Sequence, residues 1–410
     1  MPSRTERRGG APWPRIRVSA WANYFFLFIS WAILSPYLQL YLKDRGVSAA
    51  RIGLLLGCLE LAGVAGPMLI GRLADRRTAY RGLLAVCLLV TVAAFIPLEL
   101  TTLFPVYLGC IILMGFAYRA TAPLLDSLVS RLLPDPARQY GPLRAAGSVG
   151  FIVISLFLQF TGLVSGDSSR AILVAFGITA GCAALAVTVL PTVKRIPRAV
   201  GVKAMPRVGT AGGFDRKFWA VIGIVFLGRF GIGAYYSFFS LYLKHTFPGS
   251  GVSLFWAIGT VAEIATMTFS GRLMARWGIR AMLTVSLVAI SVRLCLFVVA
   301  PSLAVLAAAQ LLHAFTFGTF HTAAMAYISG ATGQERRGAG TAVYNALGIG
   351  LPSFLASVIG GSIIEAHGFT ALFLSYAIVP LLGVLVLAVF GRALLPHTAP
   401  EKMGRRSESP

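Results

Sequence analysis

A chain of 410 residues that is 57% hydrophobic and only 12% charged has too little polar surface to fold as a soluble globule. Apolar runs of about 20 residues recur along almost its whole length, each enough to cross about 30 Å of hydrocarbon. The net charge of +22 would suit nucleic acid, but about 28 of the 36 basic residues fall in alternate loops and the two tails, the pattern of cytoplasmic segments in a membrane protein; no nucleic-acid partner is expected.

In chain order, residues 1–17 read as a cytoplasmic basic tail. The apolar stretch from Val18 is too long for a cleaved signal and lacks a small-residue cleavage site, so it reads as a retained first span over 18–42. Spans follow at 51–71, 82–101, 105–131, 143–164 and 170–190, completing an N-terminal six-helix bundle over 18–190. The segment 191–216, with Pro191, Pro197, Pro206 and several glycines, reads as a cytoplasmic linker. A C-terminal bundle over 217–393 holds spans at 217–243, 252–274, 280–300, 303–330, 339–364 and 369–393, and 394–410 is a second cytoplasmic tail. The basic clusters from Arg72 to Arg81, Arg131 to Arg144, Lys194 to Lys217 and Arg272 to Arg280 all lie on the side of the termini. This is the expectation for a multi-pass protein of the cell (inner or plasma) membrane, both termini cytoplasmic. Cys58, Cys87, Cys110, Cys182 and Cys295 sit inside apolar runs without paired spacing, so neither disulfides nor a metal site is indicated.

The two bundles are copies of one another. Leu40-Tyr41-Leu42-Lys43 recurs as Leu241-Tyr242-Leu243-Lys244, and Gly71-Arg72-Leu73 recurs as Gly271-Arg272-Leu273, an offset of about 200 residues. Six spans per copy put both in the same orientation, and parallel membrane repeats are a transporter architecture. The copies part where chemistry is expected: Asp75 against Ala275, Asp126 against Tyr327, Arg144 against Tyr344.

The loop after the second span reads Gly71-Arg72-Leu73-Ala74-Asp75-Arg76-Arg77 and ends near Arg81. It resembles the G-x-L-x-D-R-x-x-x-R/K loop of the major facilitator superfamily. Gly71, Asp75 and Arg76 are then gating candidates: Gly71 permits close helix approach, and Asp75 can accept from a helix N-terminus and pair with a nearby arginine, latching one conformation.

Ionisable residues inside the spans are the sharper evidence. Glu60, Arg119, Asp126, Arg144, Arg229, Glu263 and Arg293 would together cost roughly 20 kcal/mol if left unpaired at about 3 kcal/mol each, more than a fold's whole stability. They must face one another or water. Asp126 and Arg144 lie at similar depths on the fourth and fifth spans, within pairing reach if those are adjacent. Glu263 and His321 lie near mid-depth on the eighth and tenth, Arg293 deeper on the ninth, and Glu60 and Arg229 also near the middle. A carboxylate beside a histidine and an arginine suits a proton carrier, so Glu263, His321, Glu60 and His313 are the proton-coupling candidates. His313, two turns nearer the outer side, reads more simply as a lone packed histidine. Four arginines against three acids favour an anionic solute, unless a backbone carbonyl satisfies the surplus. Tyr235 and Tyr236, at mid-span, are placed to stack on a ring.

Several runs resemble the phenylpropionate permease branch of that superfamily, itself similar to the lactose permease group of proton symporters. They are Ile52 to Gly57, Pro123 to Leu128, Tyr140 to Phe151, Ala234 to Leu243, Val261 to Glu263 and Leu312 to Ile328. The resemblance implies that Asp126 and Arg144 pair, and that Glu263, Arg293 and His321 carry proton and substrate. Glu60 falls outside that pattern, and Met325 stands where the lactose permease group has an acid. No nucleotide-binding, kinase or hydrolase motif is present, so a gradient rather than catalysis must drive the protein. The expectation is an all-α, twelve-helix, cofactor-free proton symporter of a small aromatic or other organic carboxylate. It would work as a monomer by rocking of its two halves, with Arg144, Asp126, Arg293, Arg119, Arg229, Tyr235 and Tyr236 on the substrate. Symport of a sugar or nucleoside, or drug/proton antiport, are the alternatives.

Overall fold

In hydrocarbon the backbone must satisfy its own hydrogen bonds, so long apolar runs wind into helices. A computed structural model describes residues 13–192 and 213–395, without the side chains of residues 137 and 333–335. Most of the two tails and of the linker expected above lie outside the described residues.

Ten helices among the described residues are long and apolar enough to cross a membrane: α1 Trp13–Asp44, α2 Ala49–Arg77, α3 Tyr80–Leu100, α4 Phe104–Leu132, α5 Arg138–Thr161, α6 Ser169–Thr188, α7 Arg216–Thr246, α8 Val252–Val299, α9 Leu303–Thr332 and α10 Arg336–Leu394. No strand occurs among them. The first begins at Trp13, taking in residues assigned above to the tail. At 48 and 59 residues, α8 and α10 are each more than twice the length that spans about 30 Å at 1.5 Å per residue. Each is broken once, at Gly278 (φ 71°, ψ 169°) and at Gly368 (φ 79°, ψ −177°), a backbone region open only to glycine without strain. The polar breaks expected between 274 and 280 and between 364 and 369 are therefore single-glycine interruptions of the helix rather than loops.

Helix starts are set by short polar side chains, which satisfy amides that have no partner in the first turn. Asp215 Oδ1 accepts from Phe218 N at 2.8 Å, and Asp135 Oδ1 and Ser168 Oγ each accept at 3.3 Å, from Arg138 N and Ala171 N.

The described residues form two compact units. Unit 1 comprises 13–47, 58–192 and 251–257; unit 2 comprises 48–57, 213–250 and 258–395. Two short segments thus depart from a division at the linker. Residues 251–257 join unit 1, where Ser253 Oγ meets Tyr37 Oη at 2.5 Å. Residues 48–57 join unit 2, where Ala50 N donates to Glu365 Oε2 at 2.8 Å. The core of unit 2 packs Phe218, Val221 and Val225 of α7 against Met282, Leu283 and Leu287 of α8, with Phe320, Ala324 and Leu387. Leu100, Phe160 and Leu185, by contrast, are 80%, 85% and 70% exposed. A surface so apolar would associate in water but is at home against lipid tails.

In unit 1 the helices α2 and α4 meet backbone to backbone. A Cβ on Gly115 would sit 2.9 Å from Leu59 Cα and 3.0 Å from its carbonyl carbon, and neither can yield without moving the helix. Gly115→Val is expected to destabilise the protein by roughly 1–3 kcal/mol, read as a drop in melting temperature of the detergent-solubilised protein; an unchanged melting temperature would refute the tight contact.

Candidate functional site

In unit 1, Asp126 of α4 and Arg144 of α5 form the ion pair their depths suggested, Nε to Oδ1 3.6 Å. The Asp126 carboxylate also accepts from the Tyr24 hydroxyl at 2.8 Å. Tyr24 is wholly buried on α1, so the carboxylate is held from two sides. Arg144 lies over the Phe28 ring at 4.1 Å and the Tyr24 ring at 5.6 Å. Guanidinium and ring faces attract through the ring quadrupole. The pair is about one-third exposed on both sides, which leaves its outer hydrogen-bonding positions open to a solute.

About two turns nearer the N-terminus of α4, Arg119 bonds Glu60 of α2. Arg119 shares a face with Asp126, as their spacing of seven suggests, yet the two residues take different partners. The Arg119 guanidinium also lies 5.3 Å from the Trp31 ring centre, and Gly63 makes room for its stem, since a Cβ there would fall 2.7 Å from Arg119 Cγ.

In unit 2, Arg293 is 1% exposed. Its Nη2 donates to Gln310 Oε1 at 2.5 Å, and its Nη1 to His313 Nδ1 at 2.9 Å and Thr316 Oγ1 at 3.1 Å. Its guanidinium carbon stands 3.9 Å from the centre of the Tyr235 ring. On the other side of the imidazole, His313 Nε2 lies 3.5 Å from Glu263 Oε2. These contacts fix the tautomer. Arginine can only donate, so Nδ1 must accept and the imidazole proton belongs on Nε2, facing the carboxylate. The order Arg293, His313, Glu263 is thus a directed chain from a buried, permanently charged group to a carboxylate about one-quarter exposed.

The expectation that His313 is a lone packed histidine is overturned: it is the histidine at the Glu263 carboxylate. His321, placed beside Glu263 by its depth and by the resemblance, instead meets the Tyr344 hydroxyl through Nδ1 at 2.8 Å and stacks on Phe317, ring centres 5.6 Å apart. Residues 313, 317 and 321 stack in series, His313 lying 5.9 Å from Phe317. The backbone between them, Ala314–Thr319, is π-helical, as is Tyr344–Gly350; such widened turns concentrate at functional positions. Arg229 donates to Ser353 Oγ at 3.0 Å and lies over the Tyr236 ring at 4.8 Å. With Glu263 on His313, both Arg229 and Arg293 are met by neutral side chains and rings, a third solution beside the anionic solute and the backbone carbonyl. Tyr235 is 1% exposed and lies beneath Arg293, so it supports the arginine rather than offering an open face.

The gating candidates divide. Asp75 pairs with Arg131 of α4 at 3.0 Å and accepts from the Tyr80 hydroxyl, while Arg131 lies over the Tyr80 ring at 4.9 Å. The partner is a side chain at the start of α3, not the helix N-terminus that was expected. A Cβ on Gly71 would meet nothing within 4 Å, so close helix approach does not explain that glycine. Arg76 is exposed. Phe28, Trp31 and Gln310 carry no signal in the sequence, whereas Tyr24 stands in the aromatic run Tyr24-Phe25-Phe26, a sign of packing or of a ring-binding surface.

Helices of membrane length holding arginines and carboxylates in mid-span pairs define a transport protein, for such groups are retained in a bilayer chiefly along solute and ion pathways. Residues 18–375 match the MFS_1 like family, and the chain belongs to it. It is 29% identical over 353 residues to the probable 3-phenylpropionic acid transporter of Escherichia coli (strain K12), covering 84% of this chain and 90% of that one. It is 26% identical over 375 residues to the maltose permease of Geobacillus stearothermophilus, covering 90% and 93%. The crystal structure of nucleoside transporter NupG superimposes with a TM-score of 0.78 at 18% identity, over 92% of this chain and 99% of that one. The superfamily resemblance read from the sequence therefore holds. The chain is a multi-pass membrane transporter of a small-molecule solute and not an enzyme.

Proposed function

We propose that this transporter is a proton-coupled symporter of a small aromatic or other organic carboxylate, working by alternating access as a monomer in the cell membrane. It crosses the bilayer twelve times, α8 and α10 each counting as two crossings, with both termini cytoplasmic. The observation that carries proton coupling is the Arg293, His313, Glu263 chain, in which a single imidazole proton points at a partly exposed carboxylate. A proton arriving at Glu263 neutralises the one charge that His313 Nε2 faces, while Arg293 holds the ring's other nitrogen. His321, a turn beyond on the Phe317 stack, stands as a further proton station.

The carboxylate preference rests on unit 1. Arg144, about one-third exposed between the Phe28 and Tyr24 rings, offers a forked donor for an acid beside ring faces for an aromatic body. The name of the Escherichia coli relative points the same way. The runner-up, a sugar or nucleoside, is favoured by Glu60 and Asp126, which can accept from hydroxyls. Drug/proton antiport fits arginine-lined ion pairs poorly, since a cationic ligand would meet like charge. Uptake of labelled 3-phenylpropionate and of a labelled nucleoside into proteoliposomes, with and without an inward proton gradient, separates these. Gradient-driven accumulation of the acid alone is expected; uptake indifferent to the gradient would remove symport, and uptake of the nucleoside alone would remove the carboxylate.

A further inference from the structure

The resemblance accounts for Asp126 and Arg144 but leaves Glu60 and Arg119 without a role, and their surroundings are not those of a simple helix tie. Four side chains of unit 1 form a continuous row. Arg144 lies over Phe28 at 4.1 Å, Phe28 stacks on Trp31 with ring centres 5.8 Å apart and planes 15° from parallel, and Trp31 carries Arg119 at 5.3 Å. A carboxylate closes each end, Asp126 on Arg144 and Glu60 on Arg119. The row is an arginine–carboxylate pair, two parallel rings, and a second arginine–carboxylate pair.

Three features set the far end apart from a simple helix tie. The side chains of Arg119 and Glu60 are 30% and 21% exposed. A charged pair at mid-span that turned this area to lipid would pay heavily, so the open area faces polar contents. The indole Nε1 of Trp31 is buried without a hydrogen-bond partner, a polar atom that the row leaves unsatisfied. And Gly63 leaves the gap that the Arg119 stem fills, so the pair is fitted into the α2–α4 contact instead of being forced aside by it.

We propose that Glu60 and Arg119 are a second polar subsite for the solute, held apart from Arg144 by the stacked Phe28 and Trp31 rings. The preferred solute is then an aromatic carboxylate with a second hydrogen-bonding group, a hydroxyl or another acid, on the far side of its ring. Laid end to end, the three steps of the row put the guanidinium carbons at most about 15 Å apart. With a hydrogen bond of about 3 Å at each end, that bounds the solute to no more than the length of one benzene ring bearing a short acid side chain and a para substituent. A hydroxyl there donates to Glu60 and accepts from Arg119, using both members of the pair. An unsubstituted ring leaves both to themselves.

This assignment rests on the carboxylate reading of the substrate, and one experiment separates the two. In proteoliposomes with an inward proton gradient, uptake of labelled 3-phenylpropionate is competed by the unlabelled acid and by its para-hydroxyl derivative. The hydroxylated acid is expected to compete about tenfold better. In Glu60→Gln/Arg119→Met that advantage is expected to fall to about one, whatever the change in total uptake, because the ratio of the two acids is the readout. A tie that only holds α2 to α4 would lower uptake of both acids together and leave their ratio alone. Trp31→Leu, which keeps the ion pair, serves as the second variant: it weakens both acids and narrows the tenfold ratio. Equal competition in the unaltered protein, or a tenfold ratio that survives in either variant, overturns the subsite. If neither acid is carried at all, the carboxylate reading falls and the subsite with it.

Discussion

Glu263→Gln is expected to end the accumulation of solute against its gradient while leaving exchange of internal for external solute in place. Glutamine has the shape of a protonated glutamate and still accepts from the His313 N–H that lies 3.5 Å from the carboxylate, so the local geometry persists. What it cannot do is release a proton. Exchange needs only that the loaded protein reorient in both directions, whereas accumulation needs the proton to leave on the far side before the empty protein returns. The expected result in proteoliposomes is therefore loss of gradient-driven uptake to the equilibrium level, with counterflow within a few-fold of the unaltered protein. Uphill uptake by the Gln variant would show that the carrier is elsewhere, with Glu60 and His321 the next groups to test. Loss of both activities would point to a structural fault instead, and a melting curve of the same preparation distinguishes it.

Much of this arrangement is legible in the sequence because bilayer physics is strict. Spans can be read where apolar runs reach membrane length, and the breaks at Gly278 and Gly368 fall where polar residues interrupt the runs. The Asp126–Arg144 pair follows from equal depth on consecutive spans. The positions at which the duplicated halves disagree also prove informative. Asp126 and Arg144 meet each other, and Tyr344, which replaces the arginine in the second copy, meets His321. What depth cannot supply is rotation about the helix axis. His313 and His321 differ by eight residues and lie on one helix face. The choice of histidine for Glu263 depends on how far α8 and α9 are displaced along one another, and on the π-helical turn at Ala314–Thr319, for which the sequence carries no evident signal. The neutral partners escape for a related reason. Gln310 and Thr316 resemble ordinary span residues until Arg293 is seen to need acceptors. Phe28 and Trp31 resemble lipid-facing aromatics until an arginine is found above each.

Arg293 tests whether the directed chain matters or only its buried end. Three acceptors share its two terminal nitrogens, Gln310 on Nη2 and His313 with Thr316 on Nη1, a fork that a lysine ammonium cannot reproduce from a single point. Arg293→Lys is expected to leave one or two of these buried acceptors without a donor, at about 1–3 kcal/mol. At about 2–4 °C per kcal/mol the loss is measurable in the melting temperature of the purified protein. Its second effect is specific: with no obligatory donor at Nδ1, the His313 proton can sit on either nitrogen, and the ring no longer has to present it to Glu263. Gradient dependence of uptake should weaken along with stability. Gln310→Leu provides the comparison, because it removes the partner of Nη2 and leaves the Arg293–His313 bond intact; it should lower the melting temperature by a similar amount and keep the gradient dependence. If the two variants lose coupling equally, Arg293 acts only as a structural cation, and the order imposed on His313 has no part in moving the proton.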